Sequence, residues 1–138
     1  MVSARPDLNG RRLVVAGEPE VWLMFNGMRH HIDSPAVYEA LFSETDKLTV
    51  VTDLDKVLRG PDLNDGTCLV RSSVTQAIYL VTGFPSTEVR RHHIRSWNDF
   101  LAFGFDEDLV QLAPDIVISA LPAGRALEAV RPDNAGAS

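Results

Sequence analysis

The chain of 138 residues has a single cysteine, Cys68, few aromatic side chains (7%) and no extended apolar run. One thiol forms no intramolecular disulfide and builds no thiolate metal cluster. The longest apolar stretches, Val21 to Phe25, Ala77 to Val81 and Ile116 to Leu121, have strand or short-helix length, far below the roughly 20 residues that cross a bilayer. No membrane insertion is expected. The opening MVSARPDLNGRR carries charge with no apolar stretch behind it, so it lacks the layout of a secretory signal. A cytoplasmic location is therefore expected, with surface display or secretion by a nonclassical route as the alternative. Positive charge is also in deficit: 13 Lys and Arg stand against 19 Asp and Glu, a net charge of -6. That balance repels polyanions, and no nucleic-acid partner is expected. No Ser-His-Asp order, P-loop or dinucleotide fingerprint occurs.

What is present is the composition of an ordinary globular domain, 45% apolar and 23% charged. A chain of this size buries roughly two thirds of the surface its unfolded form exposes, enough for a core without metal or disulfide staples. No cofactor is expected. Residues 1–10 and 131–138 are expected to lie outside the fold; the latter, RPDNAGAS, is small and polar with no periodicity and reads as a disordered tail.

The most informative feature is internal similarity. Arg29-His30-His31-Ile32 returns as Arg91-His92-His93-Ile94, which accounts for all four histidines. Upstream, Val21-Trp22-Leu23 is answered by Ile78-Tyr79-Leu80; downstream, Ser34, Tyr38, Leu41, Asp46, Leu48 and Asp53 are answered by Ser96, Phe100, Phe103, Asp108, Val110 and Asp115. The later copy carries five extra residues between its first two blocks, which places an insertion in a loop. Gly66-Thr67-Cys68-Leu69 matches Gly124-Arg125-Ala126-Leu127 as a common exit. Two repeat units, 11–70 and 71–130, together form one globular domain in this reading.

Each unit has the signals of a β-hairpin followed by a short helix. Asn26-Gly27 is a two-residue turn in which both positions accept positive φ, whereas the second hairpin turns through the longer Gly83 to Thr87. Ser34-Pro35 supplies an N-cap and an N1 proline; Ser96 with Asp99 is a capping-box variant. Gly104 marks the end of the second helix, and further helical turns are predicted at Leu54 to Leu58 and Ile116 to Leu121. The expected fold class is α+β: two pseudo-twofold-related copies of a β-hairpin plus short helix, each burying the other's apolar face.

Taken together, Val21-Trp22-Leu23, Asn26-Gly27, Arg29-His30-His31-Ile32, Ser34-Pro35, Tyr38 and the exit Leu121-Pro122-Ala123-Gly124 resemble a short tandem hairpin-helix repeat of bacterial surface and envelope-associated proteins. The resemblance covers about residues 13 to 127, with Trp97 standing where the pattern has proline. It implies a noncatalytic accessory binding role toward a carbohydrate, a cell-envelope component or a protein partner, and brings no catalytic residues.

The candidate ligand-binding residues are Trp22, Arg29, His31, Tyr79, Arg91, His93 and Trp97. Adjacent strand residues point to opposite faces, so one histidine of each pair can join a common site. Two imidazoles without a carboxylate or thiolate fall short of a zinc shell, and no metal is expected; hydrogen bonding of the histidines to the following turn is the structural reading. Trp22 and Tyr79 occupy corresponding positions, read either as core or as a platform for a ligand. Trp97, at N1 of a helix, is the candidate partner anchor. Glu88 to Arg95 is the one basic concentration, suited to a carboxylate or phosphate. Cys68 reads as an inert small side chain, Asp62 to Gly66 as a turn, and Asp53 and Asp115 as caps. Two alternatives stand beside the binding module: a metal-binding hydrolase that uses the histidine pairs, and a purely protein-protein or inhibitory domain.

Overall fold

The computed structural model describes residues 1–44, 48–83 and 88–129. Strand β1 (Arg12–Val15) pairs antiparallel with β2 (Val21–Phe25), and β2 pairs antiparallel with β3 (Met28–His31). The β2–β3 turn is Asn26-Gly27 with φ of 55° and 76°, the double left-handed geometry that matches strand twist. After β3 the chain passes through helix α1 (Pro35–Leu41) and returns as β4 (Thr49–Val51), parallel to β1. A parallel return needs a long crossover, and the helix provides it. The strand order is β3-β2-β1-β4.

A second four-stranded sheet follows, made of β5 (Cys68–Ser72), β6 (Ile78–Thr82), β7 (Arg90–His93) and β8 (Gln111–Ala113) in the order β7-β6-β5-β8, with helix α2 (Trp97–Phe103) between β7 and β8. A short helix α3 (Asp115–Ser119) comes after β8. The architecture is thus α+β, with two mixed four-stranded sheets and few short helices. Strand β5 runs across residue 70, the expected boundary between repeat units, and pairs with β6 and β8.

Helix starts lie where the capping residues put them. The Ser34 hydroxyl accepts from the Val37 N–H with Pro35 at the first turn, and the Ser96 hydroxyl accepts from the Asp99 N–H. Asp99 does more than close a capping box: its buried carboxylate accepts from the Ser96 hydroxyl at 2.9 Å and from the Ala129 N–H at 3.2 Å, tying the last described residues to α2. Helix α2 stops at Gly104, whose φ of 80° is left-handed.

One core draws on both sheets and both long helices. Leu23, Phe25, Leu41 and Phe42 pack in the same buried cluster as Leu69, Leu80, Phe100 and Phe103. Phe105 is its hinge point, with its ring 5.3 Å from Phe42 and 5.2 Å from Phe103. A smaller cluster of Leu13, Trp22, Met24, Leu54 and Val57 fills the opposite face of the first sheet.

Several local expectations are corrected. Residues 1–10 join the fold: Ser3 bridges Val57, Arg5 donates to the Gly27 carbonyl and Pro6–Leu8 forms a 3-10 turn. The segment that answers Gly124 to Leu127 is Gly60 to Leu63, since Leu63 bridges Ile32 as Leu127 bridges Ile94, while Cys68 and Leu69 belong to β5. Asp115 accepts from the Ser72 hydroxyl at 2.7 Å rather than capping backbone N–H groups; Asp53 accepts from the Asp55 N–H, but the expected helical turn at Leu54 to Leu58 is a hydrogen-bonded turn from Leu54 to Val57 and no helix follows it. Asp46, most of the enlarged second hairpin turn and the 131–138 tail lie outside the described residues. Among the described residues no helix is long and apolar enough to cross a membrane.

Candidate functional site

Strand register separates the histidine pairs. His31 is opposite Trp22 and His30 opposite Leu23; His93 is opposite Tyr79 and His92 opposite Leu80. Because side chains alternate, His30 and His92 share the buried side of their sheets with the leucines, and both are buried. His30 stacks flat on Phe25, ring centroids 3.6 Å apart, with Nδ1 2.8 Å from the Pro61 carbonyl and Nε2 3.2 Å from the Phe25 carbonyl. A neutral imidazole has one N–H and serves one of those carbonyls. His92 is fully served as a neutral ring: Nδ1–H donates to the Arg125 carbonyl at 2.8 Å, and Nε2 lies 3.0 Å from the Thr82 hydroxyl, from which it accepts. Burial holds both imidazoles below the ordinary histidine range; the carbonyl partners oppose that shift at each site, and the Arg90 charge adds to it at His92. Gly60 and Gly124 lie against these rings, so that a Cβ would fall 2.4 Å from His30 Cε1 and 2.6 Å from His92 Cε1. The buried histidines therefore clamp the segments after Gly60 and Gly124 to the sheets.

The other face carries the aromatic positions. Trp22 is 8% exposed and packs in the smaller core cluster, roofed by the guanidinium carbons of Arg29 at 4.4 Å and Arg59 at 5.0 Å. It is a core residue, not an open platform. Tyr79 is half-buried with Arg91 at 5.5 Å. The His31 and His93 rings stand 5.0 Å and 5.3 Å from Trp22 and Tyr79. Arg29 and Arg91 thus act as covers for aromatic rings.

Two grooves open where each hairpin meets its helix. The first, about 500 Å³, has Val21, Ile32, Pro35 and Tyr38 as its apolar lining, closed by Pro19 and Leu48. Its rim carries Glu20, His31, Asp33 and Glu39. The second, about 230 Å³, has Ile78, Ile94, Trp97 and Phe100 as its lining, with Ala77, His93 and Arg95 at the rim. Strand register aligns His31 with His93; Ile32 and Ile94 donate in the same way to the carbonyls of Val21 and Ile78; and the N-cap serines Ser34 and Ser96 place Pro35 where Trp97 stands and Tyr38 where Phe100 stands. Trp97, 47% exposed, stacks on Phe100 with centroids 4.8 Å apart and interplanar angle 9°. Its bulk occupies space that Pro35 leaves open.

Of the expected ligand residues, the structure brings His31 to the first groove and His93 with Trp97 to the second; Trp22, Arg29, Tyr79 and Arg91 share the sheet face of the two groove histidines but line neither groove. Sequence reasoning missed Glu20, Glu39 and Pro35 as groove residues. Signal was available in the correspondences at Val21, Ser34 and Tyr38, but their convergence depends on how α1 crosses the sheet.

A third cavity of about 420 Å³ lies between the hairpins, lined by Phe25, His30, Asn64, Arg90 and His92 among others. Its imidazoles are engaged by backbone carbonyls as described. A carboxylate does stand beside His31: Asp33 Oδ1 lies 3.4 Å from Nδ1, and these two with Asp62 hold ligand atoms within 4.8 Å of one another. Asp62 is also paired with Arg59 at 2.9 Å, which leaves the group a mixed ion-pair network. Cys68 is half-buried, and burial pushes its thiol up, against nucleophilic use. Among the described residues no hydroxyl or thiol is hydrogen-bonded to His31 or His93. Comparisons with known protein families, with curated proteins and with solved structures give no significant match.

Proposed function

We propose that this chain is a noncatalytic binding module made by duplication of a hairpin-helix unit, with two pseudo-twofold-related copies forming one domain. Each copy offers one groove to a ligand of carbohydrate, cell-envelope or protein class. The observation that carries the reading is the pairing of the two groove linings residue by residue, with His31, Ser34 and Tyr38 in one answered by His93, Ser96 and Phe100 in the other. Core residues repeat in any duplicated fold; concave surface that repeats in the same place is where a repeat binder would hold its ligand. Two weak sites on one rigid frame also gain by avidity.

The test is a screen of the whole chain on a glycan array and a peptide array, repeated with Pro35→Trp and Trp97→Ala. The first substitution gives the larger groove the wall of the smaller; the second opens the smaller one. Hits should weaken at least severalfold with Pro35→Trp or change in selectivity with Trp97→Ala. Arrays that stay blank, or hits indifferent to both substitutions, contradict the proposal.

A further inference from the structure

The two grooves correspond in place but are opposite in charge. Around the first stand Glu20, Asp33 and Glu39, and no lysine or arginine is among its described lining residues. At the second, Glu20 is answered by Ala77 and Asp33 by Arg95, which pairs only loosely with Glu128 at 3.7 Å. Glu20 and Glu39 are exposed and have no ion-pair partner among the described residues. Asp33 meets His31 and retains 41% of its side-chain exposure. The first groove is therefore an apolar trough with an anionic lip.

That combination selects a particular shape of ligand. A lysine or arginine side chain lays its methylene stem along apolar surface and keeps its charged head in water, so the stem would lie along Val21, Ile32 and Pro35 while the head meets the lip carboxylates. A sugar ring is a poorer match, because the lip offers acceptors in excess of donors and the one aromatic ring, Tyr38, has its hydroxyl bonded to Arg12 and to the Glu44 carbonyl. Resting on the reading of the grooves as ligand sites, we infer that the first groove holds a peptide segment of a protein partner bearing lysine or arginine beside an apolar residue, and that Arg95 excludes such a segment from the second.

The full chain, labelled with 15N, is titrated with three blocked tripeptides, Leu-Lys-Leu, Leu-Gln-Leu and Leu-Glu-Leu, and followed by amide NMR. An exposed ion pair strengthens binding by a few-fold, and several carboxylates converge here. Leu-Lys-Leu should therefore shift the amides of Val21, Ile32 and Ser34 at roughly a tenth of the concentration needed for Leu-Glu-Leu, with Leu-Gln-Leu between. Asp33→Asn with Glu39→Gln should bring the lysine and glutamine peptides to within about twofold of each other. Arg95→Asp should add lysine-dependent shifts at Ile78, Ile94 and Ser96. These substitutions are at exposed positions, and retention of the reference spectrum reports that the fold is kept. Groove amides that respond equally to all three peptides would overturn the charge selectivity and leave the grooves standing as sites. Shifts confined to other surfaces, or none with any peptide, would overturn both.

Discussion

The β1–β4 sheet and the β5–β8 sheet share strand order and register, yet their side chains are put to different use. In the first, Trp22 is sealed beneath two guanidiniums; in the second, Tyr79 is half-buried beneath one, because the position of Arg59 is taken by Ala123. His30 lies between two carbonyls, whereas His92 has one carbonyl and a hydroxyl. The groove of about 500 Å³ with a carboxylate lip has a counterpart of about 230 Å³ narrowed by Trp97 and bordered by Arg95. The buried histidines, the glycines against them and the helix-capping serines agree between the sheets, whereas the groove rims and aromatic covers differ. A shared frame thus carries two differently tuned surfaces.

That comparison can be broken at several levels. The largest effect is expected from Phe105→Ala, which removes the ring that touches Phe42 from one side of the core and Phe100 and Phe103 from the other. A loss of about 3–5 kcal/mol in chemical denaturation is expected, with both sheets unfolding in a single transition. Two separated transitions would show that the sheets are independent.

Next come the glycines under the buried histidines. Gly60→Ala and Gly124→Ala each force a Cβ into an imidazole, and overpacking of this kind costs about 1–3 kcal/mol. Gly60→Ala should be the worse, since its Cβ would approach closer and His30 is additionally stacked on Phe25. Equal losses would mean that the two clamps are mechanically equivalent.

The same histidines give stability a pH dependence. Burial depresses the folded pKa of both, so below the ordinary histidine pKa of about 6.5 the unfolded chain binds protons that the folded chain does not. Their contribution is fully present above that pH and is lost as pH falls through the depressed folded values. Denaturant midpoints measured from pH 7.5 to 5 should decline, and His92→Gln should flatten the decline. A profile unchanged by that substitution would contradict the assignment.

The smallest effect concerns the aromatic covers. Arg59→Ala removes one of two cations over Trp22, worth about 0.5–1 kcal/mol, and should red-shift the tryptophan emission slightly as the ring gains solvent. Arg91→Ala over Tyr79 should cost less, because its guanidinium is farther from the ring.

Much of this frame is legible in the sequence where local chemistry decides the outcome. Asn26-Gly27, Ser34-Pro35, Ser96 with Asp99, and Gly104 each act on their own few residues, and the turn, helix starts and helix stop are found there. Strands β1 and β5 are less legible, because Arg12–Val15 and Cys68–Ser72 become central strands only through parallel pairing with β4 and β8, a contact remote in sequence, beside their local antiparallel pairing with β2 and β6. The Gly66 alignment fails for a related reason: Gly60 is required by the approach of His30, a tertiary contact, whereas Gly66 lies within the turn closed by the Thr67 N–H and the Asn64 carbonyl. The exposure of Trp22 was equally hidden, because the two arginines that cover it come from β3 and from the segment after Val57.

The central claim, that the paired grooves are the binding surfaces, is most directly tested by mapping amide NMR shifts of the full chain with the strongest array hit. The account predicts perturbations clustered at Val21, Ile32 and Ser34, at Ile78, Ile94 and Ser96, or at both sets. Perturbations centred instead on Phe25, Asn64 and Arg90, in the cavity between the hairpins, would contradict it.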